Sequence, residues 1–257
     1  MRKTPVQVNS FEEFKTYISQ NSNGKNTRLF RGQENAIWDL NSQLFRLVEY
    51  HEKIEQLYDI EKNSFKNFKQ EVSKINTNFP CESDWNLLSI AQHHKLPTRL
   101  IDWTTNALIA LWFAFKDPNK KLKFRSVWGL YLTDKHKLDP DKDELFRGRF
   151  IKIFEPNKID TRIEDQESWF SIQKMEIFKN FGGDGLPTFN KYNIINQEEE
   201  FDNYLIQIKI PNFLRKNILK ELKKASIDQS SLSLNYENDL SRKLELICMK
   251  IKNKYFN

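Results

Sequence analysis

The chain has 257 residues, with 41 Lys plus Arg against 35 Asp plus Glu, 2 Cys and 4 His. That length excludes a disulfide-stapled mini-protein, and Cys81 and Cys248, far apart with no histidine at finger spacing, exclude a structural zinc framework. The net charge of +6 favours an acidic partner such as nucleic acid, although lysine outnumbers arginine nearly three to one, which argues against sequence-specific DNA reading by arginine forks.

In chain order, Ser10 and Glu13 form a capping box, and Phe11, Phe14 and Ile18 predict a short helix ending at Asn21-Ser22-Asn23-Gly24. Residues 27 to 33 predict a core strand stopped by glycine, with Arg31 at its end. Ile54, Leu57, Tyr58, Phe65, Phe68, Val72 and Ile75 keep helical period and predict a long amphipathic helix over 52–75. Asp84 can cap a helix that Pro97 ends, and Thr104 or Thr105 can cap the almost wholly apolar segment Asn106 to Phe115. After residue 120 the pattern turns to strands at 127–133, 149–154, 168–173 and 204–210, followed by a helix started by Pro211 and a last helix from about Glu237. Gly182-Gly183-Asp184-Gly185 lacks the context of a phosphate loop and reads as a turn. No apolar run is long enough to span a membrane and the N-terminus carries no signal-like segment, so a cytoplasmic, single-domain protein with no membrane partner is expected.

Two segments are rich in chemistry. In Leu29-Phe30-Arg31-Gly32-Gln33 a guanidinium interrupts a core strand and requires an anion, either a ligand or an internal partner such as Asp102; Gly32 permits close backbone approach. The second, Ala91 to Thr104, packs Gln92, His93, His94, Lys95, Thr98, Arg99, Asp102 and Trp103 between two apolar helices. His93 and His94 diverge by about 100° on a helix, so only one can enter a site. No histidine pair has metal-ligand spacing and no Gly-x-Ser-x-Gly elbow is present, so neither a metal nor a serine nucleophile is expected.

Phe30-Arg31-Gly32, the stretch Gln92 to Thr104 and the following Ala107 to Ala114 together resemble the FRG domain, named for its phenylalanine-arginine-glycine motif. Lys95 stands where that family has glycine and Ile101 where it has leucine, so the loop before Leu96 is expected to differ in backbone. Arg162, Gln166, Trp169 and Phe170 look like a third family feature. The resemblance covers a motif-bearing core of about 27–175, with a C-terminal helical portion at about 211–252.

The order of elements is similar to ADP-ribosyltransferases of the arginine-serine-glutamate type, which implies an α+β fold with a helix-rich first half packed on a small mixed sheet. The resemblance implies NAD as substrate, held by Arg31, Gly32, Thr98, Arg99, Asp102, Trp103 and Thr104. It implies catalytic roles for Arg31, Thr98 and either Gln166 or the adjacent Glu167, with Glu164 in reserve, and substrate contacts from His94, Arg162 and Trp169. The expected function is transfer of ADP-ribose to a macromolecule, nucleic acid before protein, as a toxin or phage-defence effector with an antitoxin-type partner. A non-catalytic phosphate or nucleic-acid grip through Arg31, Arg99 and Arg162 is the alternative, and a hydrolase built on His94 and Asp102 a third.

Overall fold

The computed structural model of the chain describes residues 4–21, 28–50, 54–75, 83–119, 121–146, 151–157, 164–177, 190–232 and 239–256. Arg162, the Gly182–Gly185 cluster and Cys81 lie outside them. The helices are α1 (Phe11–Gln20), α2 (Ile54–Ile75), α3 (Asp84–His93), α4 (Ala107–Phe115), α5 (Arg215–Lys224) and α6 (Asp239–Tyr255). The strands are β1 (Val6–Gln7), β2 (Arg28–Gln33), β3 (Leu100–Thr104), β4 (Phe124–Tyr131), β5 (Lys152–Phe154), β6 (Ser168–Ile172), β7 (Met175–Ile177), β8 (Asn190–Tyr192) and β9 (Leu205–Pro211). The fold is α+β: seven strands form one mixed sheet in the order β1-β9-β4-β2-β3-β6-β5, parallel only between β1 and β9, and β7 pairs separately with β8.

Local chemistry explains the element ends and corrects several expectations. Ser10 caps α1 as its sequence predicts. The cap of α3 is Ser83 and not Asp84, its hydroxyl accepting from the Asn86 amide at 3.3 Å. Asn106 and not a threonine caps α4, its Oδ1 accepting from the amide of Leu108 at 3.0 Å, while Thr104 Oγ1 accepts from the Asn106 amide at 3.1 Å. An amide side chain satisfies orphan N–H groups as well as a hydroxyl does. Pro211 closes β9 and does not start a helix; a 3-10 turn, Asn212–Leu214, intervenes before α5. Strand β3 was hidden in the motif: Leu100, Ile101 and Trp103 are buried, so the strand lacks the one-sided alternation that marks a half-exposed edge. With β2 and β3 both central, the sheet is larger than one confined to the second half of the chain.

Side chains alternate across each strand and sort into clusters on the two faces. Phe30, Val127, Ile208 and Ile210 pack under α1, α4 and α5 through Phe14, Leu111, Phe115 and Leu222. Leu100, Phe170 and Ile172 pack with Phe68, Leu88 and Leu244 of α2, α3 and α6. Leu29, Ile101, Trp103, Trp128 and Leu130 form a third cluster closed by Ile195 and Phe201 from two short 3-10 turns. Thr104 is the register partner of Phe30, so the helix groups flank a line along β2 and β3 on one face. No helix among the described residues is long and apolar enough to cross a membrane.

Gly32 fixes how α4 sits. A Cβ there would overlap the Ala110 carbonyl oxygen and lie 2.6 Å from the Ala114 nitrogen, so the helix backbone rests directly on the strand. The close approach that glycine permits is therefore made to a helix and not to a ligand. Ala107, Ala110 and Ala114 recur at helical spacing, and their small side chains suit such an approach. Gly32→Ala must push α4 off β2 and is expected to cost about 3 kcal/mol or more, read as a lowered urea midpoint.

Candidate functional site

β2 keeps register with β4 over six residues and β3 with β6 over five, yet β2 and β3 share a single pair, Phe30↔Thr104. Beyond that pair a side chain replaces the ladder: Arg31 Nη1 donates to the Asp102 carbonyl at 2.7 Å and reaches the Asp102 carboxylate at 3.4 Å. A cleft of about 570 Å³ opens over this parting, within the usual range for small-molecule sites. It is walled by α4 through Ala110, Phe113 and Lys116 and by the opposite helix group through Gln92, His93 and Glu245.

The cleft gathers Arg31, Gly32, Asp102, Trp103, Thr104 and Gln166. Arg31 is 18% exposed and its Nε is buried without a hydrogen-bond partner, whereas the Asp102 carboxylate is 49% exposed and held, among the described residues, by two long contacts, to Arg31 and to Gln92 Nε2, both 3.4 Å. The internal ion pair is thus real but loose, and leaves both groups able to turn to a ligand. Gln166 donates from Nε2 to the Leu232 carbonyl at 3.2 Å. Trp103 is 2% exposed, its Nε1 donating to Ser171 Oγ at 2.9 Å, so its ring belongs to the core.

Four other expected site residues lie elsewhere, each for a definite reason. The Thr98 hydroxyl is buried, donating to Gln92 Oε1 at 2.7 Å and accepting from the Leu100 amide at 3.1 Å, so it aims Gln92 at Asp102 and meets no ligand in the cleft. Arg99 is buried on Glu61 of α2: Nε to Oε2 is 2.6 Å, its amide reaches Oε1 at 3.0 Å and Nη2 donates to the Leu145 carbonyl at 3.0 Å. His94 is buried at the C-cap of α3 and does not line the cleft, while His93 does, so the pair His94 and Asp102 is not brought together. Trp169 faces Trp103 across the strands and packs against the third cluster, which removes a two-tryptophan sandwich from the cleft.

Glu167 also stays outside the cleft. Its backbone is left-handed, φ 46°, and its carboxylate accepts from Thr105 Oγ1 and from Asn106 Nδ2 at 3.2 Å, stapling the loop before α4. Glu164 is exposed and does not line the cleft. The carboxylates that do line it are Asp102, Glu34, Asp117 and Glu245.

Sequence reasoning missed Arg46, Ser168 and Glu245. Burial of its head group and the like charge of Arg31 both lower the Arg46 pKa, with Asp102 opposing, which places two guanidinium groups within electrostatic reach in one cleft. Ser168 is the strand partner of Thr104, legible only from register. Glu245 pairs with Lys95 at 3.4 Å, across 150 residues of chain. Lys95 sits at φ 69°, the left-handed conformation that glycine adopts without strain, so the lysine has not relaxed the loop as expected but holds a glycine-type backbone. Among the described residues no group of three or more His, Cys, Asp or Glu could hold a metal ion.

Residues 26–123 match the family model of the FRG domain, a stretch that holds Arg31, Asp102 and Thr104 and stops short of Gln166. No curated protein and no solved structure matches the chain.

Two stability experiments follow from these assignments. Lys95→Gly is expected to shift stability by no more than about 0.5 kcal/mol, while β-branched Lys95→Val costs about 1–2 kcal/mol, both read from denaturant midpoints. Arg99→Ala leaves the buried Glu61 carboxyl, whose pKa burial already pushes up, without its partner, and is expected to cost about 3–5 kcal/mol, whereas an arginine that only held a ligand would leave the midpoint in place.

Proposed function

We propose that this FRG-domain chain binds NAD in the cleft over the β2–β3 parting and transfers ADP-ribose to a macromolecule, nucleic acid before protein. The observation that carries the reading is convergence: Arg31 from β2, Asp102 and Thr104 from β3, and Gln166 with Ser168 from the start of β6 meet in one cleft at the opening of a sheet.

Arg31 offers a planar fork matched to phosphate oxygens, and its buried, unbonded Nε is a donor awaiting an acceptor. In the reaction the bond between nicotinamide and the ribose C1′ breaks, nicotinamide leaves with the bonding pair, and positive charge develops on the sugar. The half-exposed Asp102 carboxylate stabilises that charge and takes the proton of the acceptor group as it bonds to C1′. Asp102 thereby takes the part that Glu167 would have filled, because Glu167 is occupied by Thr105 and Asn106. Gln166 hydrogen-bonds the ribose as a neutral group. A phosphate-binding module using Arg31, Arg99 and Arg162 together is less well supported, since Arg99 is spent on Glu61. Modification of nucleic acid would harm a cell, and a toxin or antiviral-defence role with a neutralising protein partner is the natural setting.

The test is incubation of the purified chain with labelled NAD and with RNA, DNA and protein. Label transfer with release of nicotinamide is expected, and Arg31→Ala and Asp102→Asn should each lower it about 100-fold; Asp102→Asn should leave the melting temperature within a few degrees, while Arg31→Ala, which bares the Asp102 carbonyl, should lower it by up to about 10 °C without loss of the cooperative transition. Arg31→Lys should recover little, because a point charge cannot replace the fork. Absence of both transfer and nicotinamide release would defeat the reading.

A further inference from the structure

The loop leaving α4 connects two concave surfaces: Lys116 and Asp117 line the cleft, and the next residues, Pro118 and Asn119, line a second groove of about 690 Å³. We propose that this second groove is a platform for single-stranded nucleic acid. Its lining contains Lys123, Arg215 and Lys216 and no aspartate or glutamate, in a chain where acids and bases are otherwise nearly balanced. Lys123 and Lys216 make no ion pair among the described residues. Arg215 spends Nε and Nη2 on the carbonyls of Phe115 and Lys116, at 2.8 and 2.7 Å, which fixes its position and leaves its charge without a carboxylate.

Among these cations stands Phe213, 81% exposed on the turn between β9 and α5. A phenyl ring that contributes so little to the core and shares a groove with cations that have no carboxylate partner has the two elements of sequence-independent single-strand binding: a face on which a base stacks and charges that follow the phosphates. The floor is preorganised. Asn212 donates from Nδ2 to the carbonyls of Asn119 and Leu122 at 2.7 and 3.0 Å, and its Oδ1 accepts from buried Arg125 at 2.7 Å, so the loop shared with the cleft is held in place before any ligand arrives.

As an acceptor platform the groove rests on the transferase reading above; as a binding surface it can be measured without NAD. The experiment is fluorescence anisotropy with labelled 20-nucleotide oligo(dT) and oligo(rU), a duplex of equal length and a polyglutamate peptide, titrated with the full chain across a salt series. The single strands should bind more tightly than the duplex and the peptide. Phe213→Ala should weaken them about tenfold or more. Lys123→Gln with Lys216→Gln should flatten the slope of log affinity against log salt by about 1.4. These residues are at the surface, so melting temperatures should not move, and Phe213→Ala should leave nicotinamide release from NAD unchanged. No single-strand binding at low salt, or binding indifferent to both variants, overturns the proposal; tighter capture of polyglutamate overturns it in favour of an acidic protein partner. Single-strand binding at the groove, together with neither label transfer nor nicotinamide release in the NAD assay, would sink the transferase reading and leave the groove standing.

Discussion

The backbone carbonyl of Asp102 lies where a continuous sheet would supply a strand N–H, and a buried carbonyl left unbonded costs about 1–3 kcal/mol. Here Arg31 supplies the donor from its side chain, at 2.7 Å, so β2 and β3 can separate after one register pair without leaving that acceptor bare. The same guanidinium then faces the space that the separation creates, and brings a positive charge to it. Sheet opening, cleft and charge are consequences of a single hydrogen bond. Gly32, the next residue, sets the wall of the cleft, because only a residue without Cβ lets the α4 backbone lie on β2.

Seen from this bond, the dense stretch from Gln92 to Thr104 divides into one presented group and its supports. Thr98 orients Gln92, and Gln92 touches the Asp102 carboxylate. Arg99 ties the loop before β3 to α2 through Glu61, and Trp103 ties the strand to β6 through Ser171. Leu96 and Leu100 fill the core between α2, α3 and α6. Asp102 is left half-exposed, with only long contacts to hold it. These supports fix the backbone that carries the Asp102 carboxylate, while its oxygens, held by long contacts, stay accessible from the cleft.

Most helices were legible because their apolar residues keep helical period, although the caps of α3 and α4 lie one or two residues from where the sequence put them, and β2 was legible from its apolar run stopped by glycine. Strand β3 was not, since Asp102 and Thr104 interrupt a strand buried on both faces, and the signal of alternation vanishes there. The importance of Arg31 and Asp102 could be read from the cost of a charge in a core segment. That the hydroxyl of Thr98 and the fork of Arg99 turn inward could not, because a titratable side chain in a loop gives no sign of its direction until its partners, Gln92 and Glu61, are placed. Glu245 and Ser168 reach the cleft only through tertiary packing and strand register, which leave no local trace in the sequence.

The distribution of charge completes the picture. The cleft mixes cations with four carboxylates, Asp102, Glu34, Asp117 and Glu245, so its field is locally structured and close to balanced. The second groove has cations and no carboxylate in its lining, and suits a long anion whose individual contacts are weak and additive. Salt screens these two arrangements differently: exposed lysines lose their attraction within a Debye length of about 8 Å at physiological ionic strength, whereas a mostly buried fork such as Arg31 keeps most of its own. The excess of +6 is therefore a poor guide to function when taken as a whole. Its useful content is local: one part-buried arginine that shapes a site, and two exposed lysines beside an exposed phenylalanine.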